Sequence, residues 1–174
     1  MAKGPILKTE RLTLRPAAVE DAQRMAALIN DPDVARMTSM IPHPYGLQDA
    51  EMFIDTLTKT DFESEMHFAV VHPVYDFIGM VSFGGTRESG AELGYWFGRP
   101  YWGRGYASES VAAALDWAHQ EWDRRFLLAG HFADNPPSGR VLIKSGFLYT
   151  GVVEQRFSVA RRAKADTRMM VWLA

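Results

Sequence analysis

The stretch Trp102-Gly103-Arg104-Gly105-Tyr106-Ala107-Ser108-Glu109 constrains this chain more than any other, because two glycines one residue apart join an extended segment to an amphipathic helix. Glycine reaches backbone conformations closed to other residues, so the turn can be tight and successive N–H groups can point into one concavity. The helix start adds unpaired N–H donors and the positive end of the helix dipole, which together suit a phosphate or pyrophosphate. An ordinary glycine turn before a helix would look the same locally, so the rest of the chain has to decide between the two.

Composition narrows the partners. At 174 residues and 47% hydrophobic content, one globular domain with a sizeable core is expected over residues 1–174. With 19 basic against 21 acidic residues, nothing favours a DNA or membrane surface, and any polyanion site must be local. The absence of cysteine excludes disulfides, thiolate metal sites and cysteine nucleophiles. His67, His72 and His131 fall on strands without metal-ligand spacing and read as core or edge histidines, so no metal is expected. Met1 to Pro5 carries no apolar signal core, and no apolar run approaches the roughly 20 residues that span a bilayer. The expectation is a soluble cytoplasmic protein, monomeric or a homodimer.

Taken in order, Thr9 to Arg15 reads as a half-buried strand stopped by Pro16. Ala22, Met25, Ala26 and Ile29 recur at helical spacing after the acidic pair Glu20 and Asp21, until Asn30-Asp31-Pro32 breaks the pattern. Residues 33–46 are irregular. Ala50, Phe53, Ile54 and Leu57 mark a second helix, closed by the polar run Lys59 to Glu65. Strands follow at His67 to His72, Phe77 to Phe83 and Ala91 to Phe97, with turns at Pro73 to Asp76 and Gly84 to Gly90. The helix from Ala107 carries Val111, Leu115, Ala118 and Trp122 on one stripe, and Phe126 to Phe132 is an apolar strand suited to a sheet centre. Asn135 can cap a short helix that Gly146 ends. Leu148 to Val159 and Thr167 to Leu173 are the last strands, joined by the basic turn Arg161-Arg162-Ala163-Lys164. Seven strands and four helices in this order predict an α/β (α+β) domain with helices on both faces of a mixed sheet.

Three phosphate-binding devices compete for the glycine stretch. A Walker loop needs Lys-Ser/Thr after its last glycine, and Tyr106-Ala107 follows Gly105, which rejects it. A dinucleotide fingerprint would place Ser108 at its third small position, in mid-chain, and is weak. The third is the acyl-CoA pyrophosphate cradle. Here the sequence resembles the GNAT superfamily of N-acetyltransferases, in its RimJ/RimL-like branch. Gly105 and Ala107 match the small positions of the superfamily's loop, although Trp102 stands where Gln or Arg is usual. Residues 9–15 (Thr-Glu-Arg-Leu-Thr-Leu-Arg) resemble the branch's opening strand, and Glu92-Leu93-Gly94-Tyr95-Trp96 its strand before the loop. Asn135, Ser138, Val141, Lys144, Gly146 and Phe147 are spaced as in its second CoA-contacting segment. The likeness runs from about residue 6 to 147, and several blocks in register are more specific than one loop.

The resemblance implies a mostly antiparallel sheet whose central strands splay, with the pantetheine arm of acetyl-CoA in the gap. Acetyl transfer to an amine needs a pyrophosphate cradle, donors for a developing oxyanion, a path for the amine proton and an acid for the leaving thiolate. Backbone N–H groups of Gly103, Arg104, Gly105, Tyr106, Ala107 and Ser108 would form the cradle, and Arg104 would add charge. An unpaired N–H near Trp96 or Phe97 would meet the pantetheine or the thioester oxygen. Asn135 is explained as a helix cap, and the resemblance adds contact with the cofactor arm or acceptor, with Lys144 further along the same segment. Many members place a tyrosine acid seven residues after this Asn; Leu142 occupies that position, and the branch instead offers Ser138. The alternative for Ser138 is a first-turn serine bonded locally to backbone. For the base, Glu92 is the best carboxylate on a strand facing the cleft, where burial would raise its pKa. Glu154 and Asp166 are reserves, and Thr150 stands where the family often has a glutamate. Met37, Met40, Ile41 and Tyr45 suggest an apolar acceptor lining without the acidic cluster of a polyamine pocket. The acceptor is then a primary amine, a protein or peptide N-terminus or a small molecule. A non-catalytic acyl-CoA-binding or sensor domain is the alternative, with a dinucleotide oxidoreductase a distant third.

Overall fold

Thr9 decides how the chain begins. Its N–H donates to the carbonyl of Leu12 at 2.9 Å, and its hydroxyl oxygen accepts the N–H of Leu12 at 3.0 Å. The chain therefore turns between a short strand β1 (Leu7–Lys8) and β2 (Thr13–Pro16), where the sequence suggested one strand over residues 9–15. This adds an eighth strand to the seven expected. The computed structural model describes residues 4–61, 64–85 and 90–174. Parts of two readings, residues 62–63 of the polar run and 86–89 of the turn from Gly84 to Gly90, lie outside the described residues.

After β2, Asp21 receives both ends of the Arg15 guanidinium at 2.8 Å and the Ala18 N–H at 2.8 Å. This fixes the entry to α1 (Ala22–Ile29), whose Ala22, Met25, Ala26 and Ile29 are buried as their spacing requires. The segment read as irregular contains one further turn of helix, α2 (Pro32–Ala35), capped by the Asp31 side chain with proline at its start. Then come α3 (Leu47–Thr58), β3 (Met66–His72), β4 (Asp76–Gly84) and β5 (Glu92–Phe97). A short 3-10 turn at Arg99–Tyr101 leads to α4 (Tyr106–Gln120). The chain ends with β6 (Phe126–Phe132), α5 (Pro136–Lys144), β7 (Leu148–Ser158) and β8 (Ala163–Leu173).

The strands make one sheet in the order β1-β2-β3-β4-β5-β6-β8-β7. Every neighbouring pair is antiparallel except β5 and β6. Side-chain alternation then sends two apolar sets to opposite faces. On one face Leu93, Phe97, Phe68, Val81 and Phe83 pack with α4 and α5 through Val111, Leu115, Trp117 and Leu142. On the other, Ala69, Phe77 and Met80 pack with α1 and α3 through Met25, Ile29 and Ile54, and Trp96 leans on this set. A bulge opposite Val70/Val71 lets neighbouring residues of β4 serve both faces. At Gly79 a Cβ would lie 2.3 Å from the carbonyl of Trp96, so only glycine allows β4 and β5 to meet there.

Candidate active site

The parallel pairing of β5 and β6 covers only Glu92 with Leu128 and Leu93 with Ala129, after which the strands part. Ladder alternation tells which groups face the opening. Gly98 N–H donates to the Ile78 carbonyl at 3.0 Å, and the register Phe97 to Gly79, Trp96 to Met80 continues from it. Trp96 and Gly94 are thereby hydrogen-bonded to β4. The odd-numbered residues face the other way, as the bond from Leu128 N–H to the Ala91 carbonyl at 2.9 Å confirms. The N–H groups of Tyr95 and Phe97 thus project into the opening. This corrects the expectation for Trp96, whose backbone is taken up by β4 and whose ring packs 5.7 Å from Phe77 on the opposite face.

The carbonyl of Phe97 does not stay free. It accepts the indole N–H of Trp102 at 2.7 Å. The residue that departs from the usual Gln or Arg therefore has a local reason: it ties the start of the glycine loop to the end of β5.

The loop is built as the glycines suggested. Gly103 and Gly105 have φ of 71° and 81°, a region that favours glycine, and Gly105 is the left-handed residue from which α4 starts. No side chain caps this helix. The first bond returning to the loop is from Glu109 N–H to the Gly105 carbonyl at 3.0 Å; the six N–H groups of Gly103 to Ser108 have no partner among the described residues. This donor set, with no side-chain cap on the helix, fits a pyrophosphate. The Arg104 guanidinium turns aside, 6.0 Å from the Tyr75 ring.

A buttress behind the loop was not foreseen. Glu109, in the first turn of α4, accepts from the Thr9 hydroxyl at 2.6 Å, the Arg11 N–H at 2.9 Å and Arg11 Nε at 2.7 Å. Arg11 also donates to the Arg104 carbonyl at 3.0 Å and lies over the Tyr106 ring at 4.6 Å. Burial alone would raise the Glu109 carboxyl, but the hydrogen bonds from Thr9 and Arg11 outweigh it and hold it below the usual glutamate range.

Across the opening, Asn135 caps α5 weakly, its Oδ1 accepting from Ser138 N–H at 3.4 Å. The Ser138 Oγ lies 2.8 Å from the Tyr95 hydroxyl, which also donates to the Ser138 carbonyl at 3.0 Å. Tyr95 is a site residue the sequence reading passed over; its odd position in β5, on the face toward α5, was the available signal. Leu142, where many relatives carry tyrosine, is buried in the core. Lys144 is exposed in the last turn of α5. Beneath the first turn of α5 lies His131, 5% exposed. Its Nδ1 is 2.8 Å from the Phe132 carbonyl, which can only accept, so Nδ1 donates there, and its Nε2 is 2.9 Å from the Tyr149 hydroxyl. A Cβ on Gly139 would sit 2.8 Å from both groups, which is why α5 has glycine there.

Glu92 differs from the expectation of a carboxylate buried at the cleft. Its side chain is 35% exposed, and both oxygens are held by Arg156 at 2.5 and 3.1 Å. Arg156 also binds Glu154 at 2.8 Å, and Asp166 bonds to Gln155. The Glu92 hydrogen bond, ahead of the opposing effect of burial, pushes the Arg156 pKa up. The turn between β7 and β8 is fastened to the segment after α2: Ser158 Oγ donates to the Thr38 carbonyl at 2.8 Å and Val159 N–H to the Ser39 carbonyl at 2.9 Å. Arg161 grips Asp134 with two bonds of 2.8 Å and donates to the Arg36 carbonyl. Of the expected acceptor lining, Met40 is 82% exposed, but Tyr45 is buried in the core with α1 and α3, and burial pushes its phenol up to about 12. Among the described residues no group of three or more His, Asp or Glu could hold a metal ion, and no helix is long and apolar enough to cross a membrane.

Comparison with known proteins agrees with this geometry. Residues 11–148 match the family model described as the acetyltransferase (GNAT) domain. The chain is 30% identical over 151 residues to the uncharacterized N-acetyltransferase p20 of Bacillus licheniformis, covering 84% of each protein. Its fold is that of RimL, the ribosomal L7/L12 alpha-N-protein acetyltransferase in complex with coenzyme A, with TM-score 0.83, 16% identity and coverage of 97% of this chain and 98% of that one. It is also that of spermidine N-acetyltransferase from Vibrio cholerae in complex with CoA and spermine, with TM-score 0.78, 21% identity and coverage of 95% and 96%. A loop of free N–H groups, parted central strands and a family match over most of its length lead to one conclusion: this chain belongs to the GNAT family of acetyltransferases.

Proposed function

We propose that the whole chain works as one domain that transfers an acetyl group from acetyl-CoA to a primary amine by direct attack within a ternary complex. The observation that carries this reading is the row of six unpartnered N–H groups at the start of α4, placed where β5 and β6 part. The N–H groups of Gly103 to Ser108 hold the pyrophosphate of acetyl-CoA, and Asn135 and Lys144 border the arm from the α5 side. Acetyl-CoA supplies the activated acyl group. The N–H groups of Tyr95 and Phe97 face the opening and offer donors to the pantetheine amides or the thioester oxygen.

Ser138 donates its proton to the departing sulfur. Glu92 acts on the acceptor side. Paired with Arg156, which holds both its oxygens, it orients the incoming amine by charge. The acceptor carries at most modest positive charge: among the described residues Glu92, Glu154 and Asp134 are each already matched by Arg156 or Arg161, which weakens the pull of this end on a polyamine.

A thiol-release assay tests the reading. Acetyl-CoA is offered with a panel of peptides with free N-termini, small monoamines and spermidine. Thiol release with a peptide or monoamine, exceeding that with spermidine, is expected. CoA binding without turnover across the panel would favour a sensor domain. Gly105→Glu places bulk and negative charge in the cradle and should lower acetyl-CoA affinity at least about 100-fold with the fold retained; unchanged affinity would remove the cradle assignment.

A further inference from the structure

Ser138 is a poor acid by itself, since an alkyl hydroxyl holds its proton more tightly than the thiol it must serve. Its surroundings hold the remedy. The Tyr95 hydroxyl is 2.8 Å from Ser138 Oγ and 3.0 Å from the Ser138 carbonyl. The tyrosine has one proton and the carbonyl can only accept. In the resting arrangement that satisfies all three oxygens, Tyr95 donates to the carbonyl and Ser138 donates to Tyr95. The serine proton is then turned away from the opening.

We propose that Tyr95 is the positioning residue for Ser138, switching its one proton from the Ser138 carbonyl to Ser138 Oγ as negative charge grows on the departing sulfur. Two hydroxyl rotations accomplish the switch, with no atom moving between residues. Tyr95 O–H turns to Oγ, and the released Ser138 O–H turns to the sulfur. The inference rests on the assignment of Ser138 as the acid. Accepting a bond from Tyr95 makes Ser138 a stronger donor, as hydrogen bonds in a chain polarise one another. When the thiol forms, the S–H proton comes from Ser138 and is replaced from the pool that receives the N–H proton of the attacking neutral amine, so that attack releases no net proton. Tyr95 keeps its own proton, because burial pushes its phenol up to about 12 despite the opposing bond to Ser138. It is a donor throughout, not the base.

The test uses free CoA and needs no acceptor. A donor that stabilises the departing thiolate also stabilises the thiolate of bound CoA. Ultraviolet absorbance of the thiolate is titrated against pH in saturated complexes of the wild type, Tyr95→Phe, Ser138→Ala and the double variant. Tyr95→Phe is expected to lower the thiolate-to-thiol ratio about tenfold at fixed pH, one unit of titration midpoint, with CoA affinity within about twofold. In the Ser138→Ala background the same substitution should change nothing, because the path from Tyr95 to sulfur is already cut. Retained CoA affinity reports that each variant is folded, and Tyr95→His, which restores a donor without the phenol, supplies a second variant if Tyr95→Phe is unstable. A Tyr95→Phe complex that titrates as the wild type, or one that shifts equally in both backgrounds, overturns the inference while a shift in Ser138→Ala leaves the acid assignment standing. A Ser138→Ala complex that titrates as the wild type overturns both.

Discussion

Arg11 and Glu109 stand 98 positions apart in sequence, yet their side chains meet at 2.7 Å and the Arg11 N–H adds a second bond at 2.9 Å. The turn between β1 and β2 is thereby fixed to the first turn of α4. Through its bond to the Arg104 carbonyl, Arg11 also holds the middle of the glycine loop. The next carbonyl, that of Gly105, is taken by the Glu109 N–H, so Arg11 and Glu109 together engage two consecutive carbonyls of the loop.

Loss of that buttress should therefore weaken CoA binding without touching the cradle itself. Arg11→Ala or Glu109→Ala is expected to raise the dissociation constant of acetyl-CoA about 5- to 30-fold, the consequence of losing about 1–2 kcal/mol of loop preorganisation. kcat at saturating acetyl-CoA should change less than twofold. Calorimetry and saturation kinetics check it; an equal fall in kcat would show that the buttress serves the chemistry instead.

Stability should fall in two stages as the solution is acidified. Burial lowers the His67 pKa from its ordinary 6.5, against the opposing bond and charge of Glu65. The unfolded chain then takes up a proton more readily than the folded one, and stability is lost as pH falls from 6.5 through the lower native value. Glu109 and Asp134 act in the next window. The Asp134 carboxyl is held down by the bond from Arg161, and both carboxylates contribute stability that is present above their ordinary 4.5 and 3.8 and lost as pH falls through the native values. Thermal midpoints measured across pH should show both steps, and His67→Gln should remove the first alone.

Much of this was legible because the code was local. The αL glycines, the stripe of α4 and the apolar runs of β3 to β5 between their turns follow from the sequence, and Asn135-Pro136 announced a helix start. What escaped the sequence depends on partners far along the chain. The partner of Glu92 was not foreseen because Arg156, which binds it, is 64 residues away on a strand that is not its neighbour in the sheet. Residues 9–15 read as one strand because the Thr9 turn is held by side-chain bonds to Leu12 and Glu109, which periodicity does not register. Tyr95 read as an ordinary strand aromatic, since its value lies in reaching Ser138 across the opening.

Gly79 offers a test of how closely the central strands must approach. A Cβ there would come within 2.3 Å of the Trp96 carbonyl and 2.8 Å of the Phe97 ring. Backbone cannot yield as a flexible side-chain tip does, so Gly79→Ala should destabilise the protein by about 3 kcal/mol or more. It should also displace the end of β5, and with it the Phe97 N–H that faces the opening. Denaturant unfolding measures the first effect. A loss below about 1 kcal/mol would mean that β4 and β5 separate easily at this point.

The ion pair of Glu92 and Arg156 separates two roles on the acceptor side. If Glu92 orients the amine by charge, Glu92→Gln removes that charge and leaves Arg156 with Glu154 alone. kcat/KM for the amine should fall about 10- to 100-fold, while KM for acetyl-CoA stays within twofold. Arg156→Gln frees the carboxylate and distinguishes the roles. Were Glu92 a base restrained by its partner, releasing it would raise the rate at neutral pH; as an orienting charge that Arg156 aims, it should lose activity about as much as Glu92→Gln does. Steady-state kinetics of the two variants and their combination decide the matter, and the orienting role requires that the double variant be no worse than either single one.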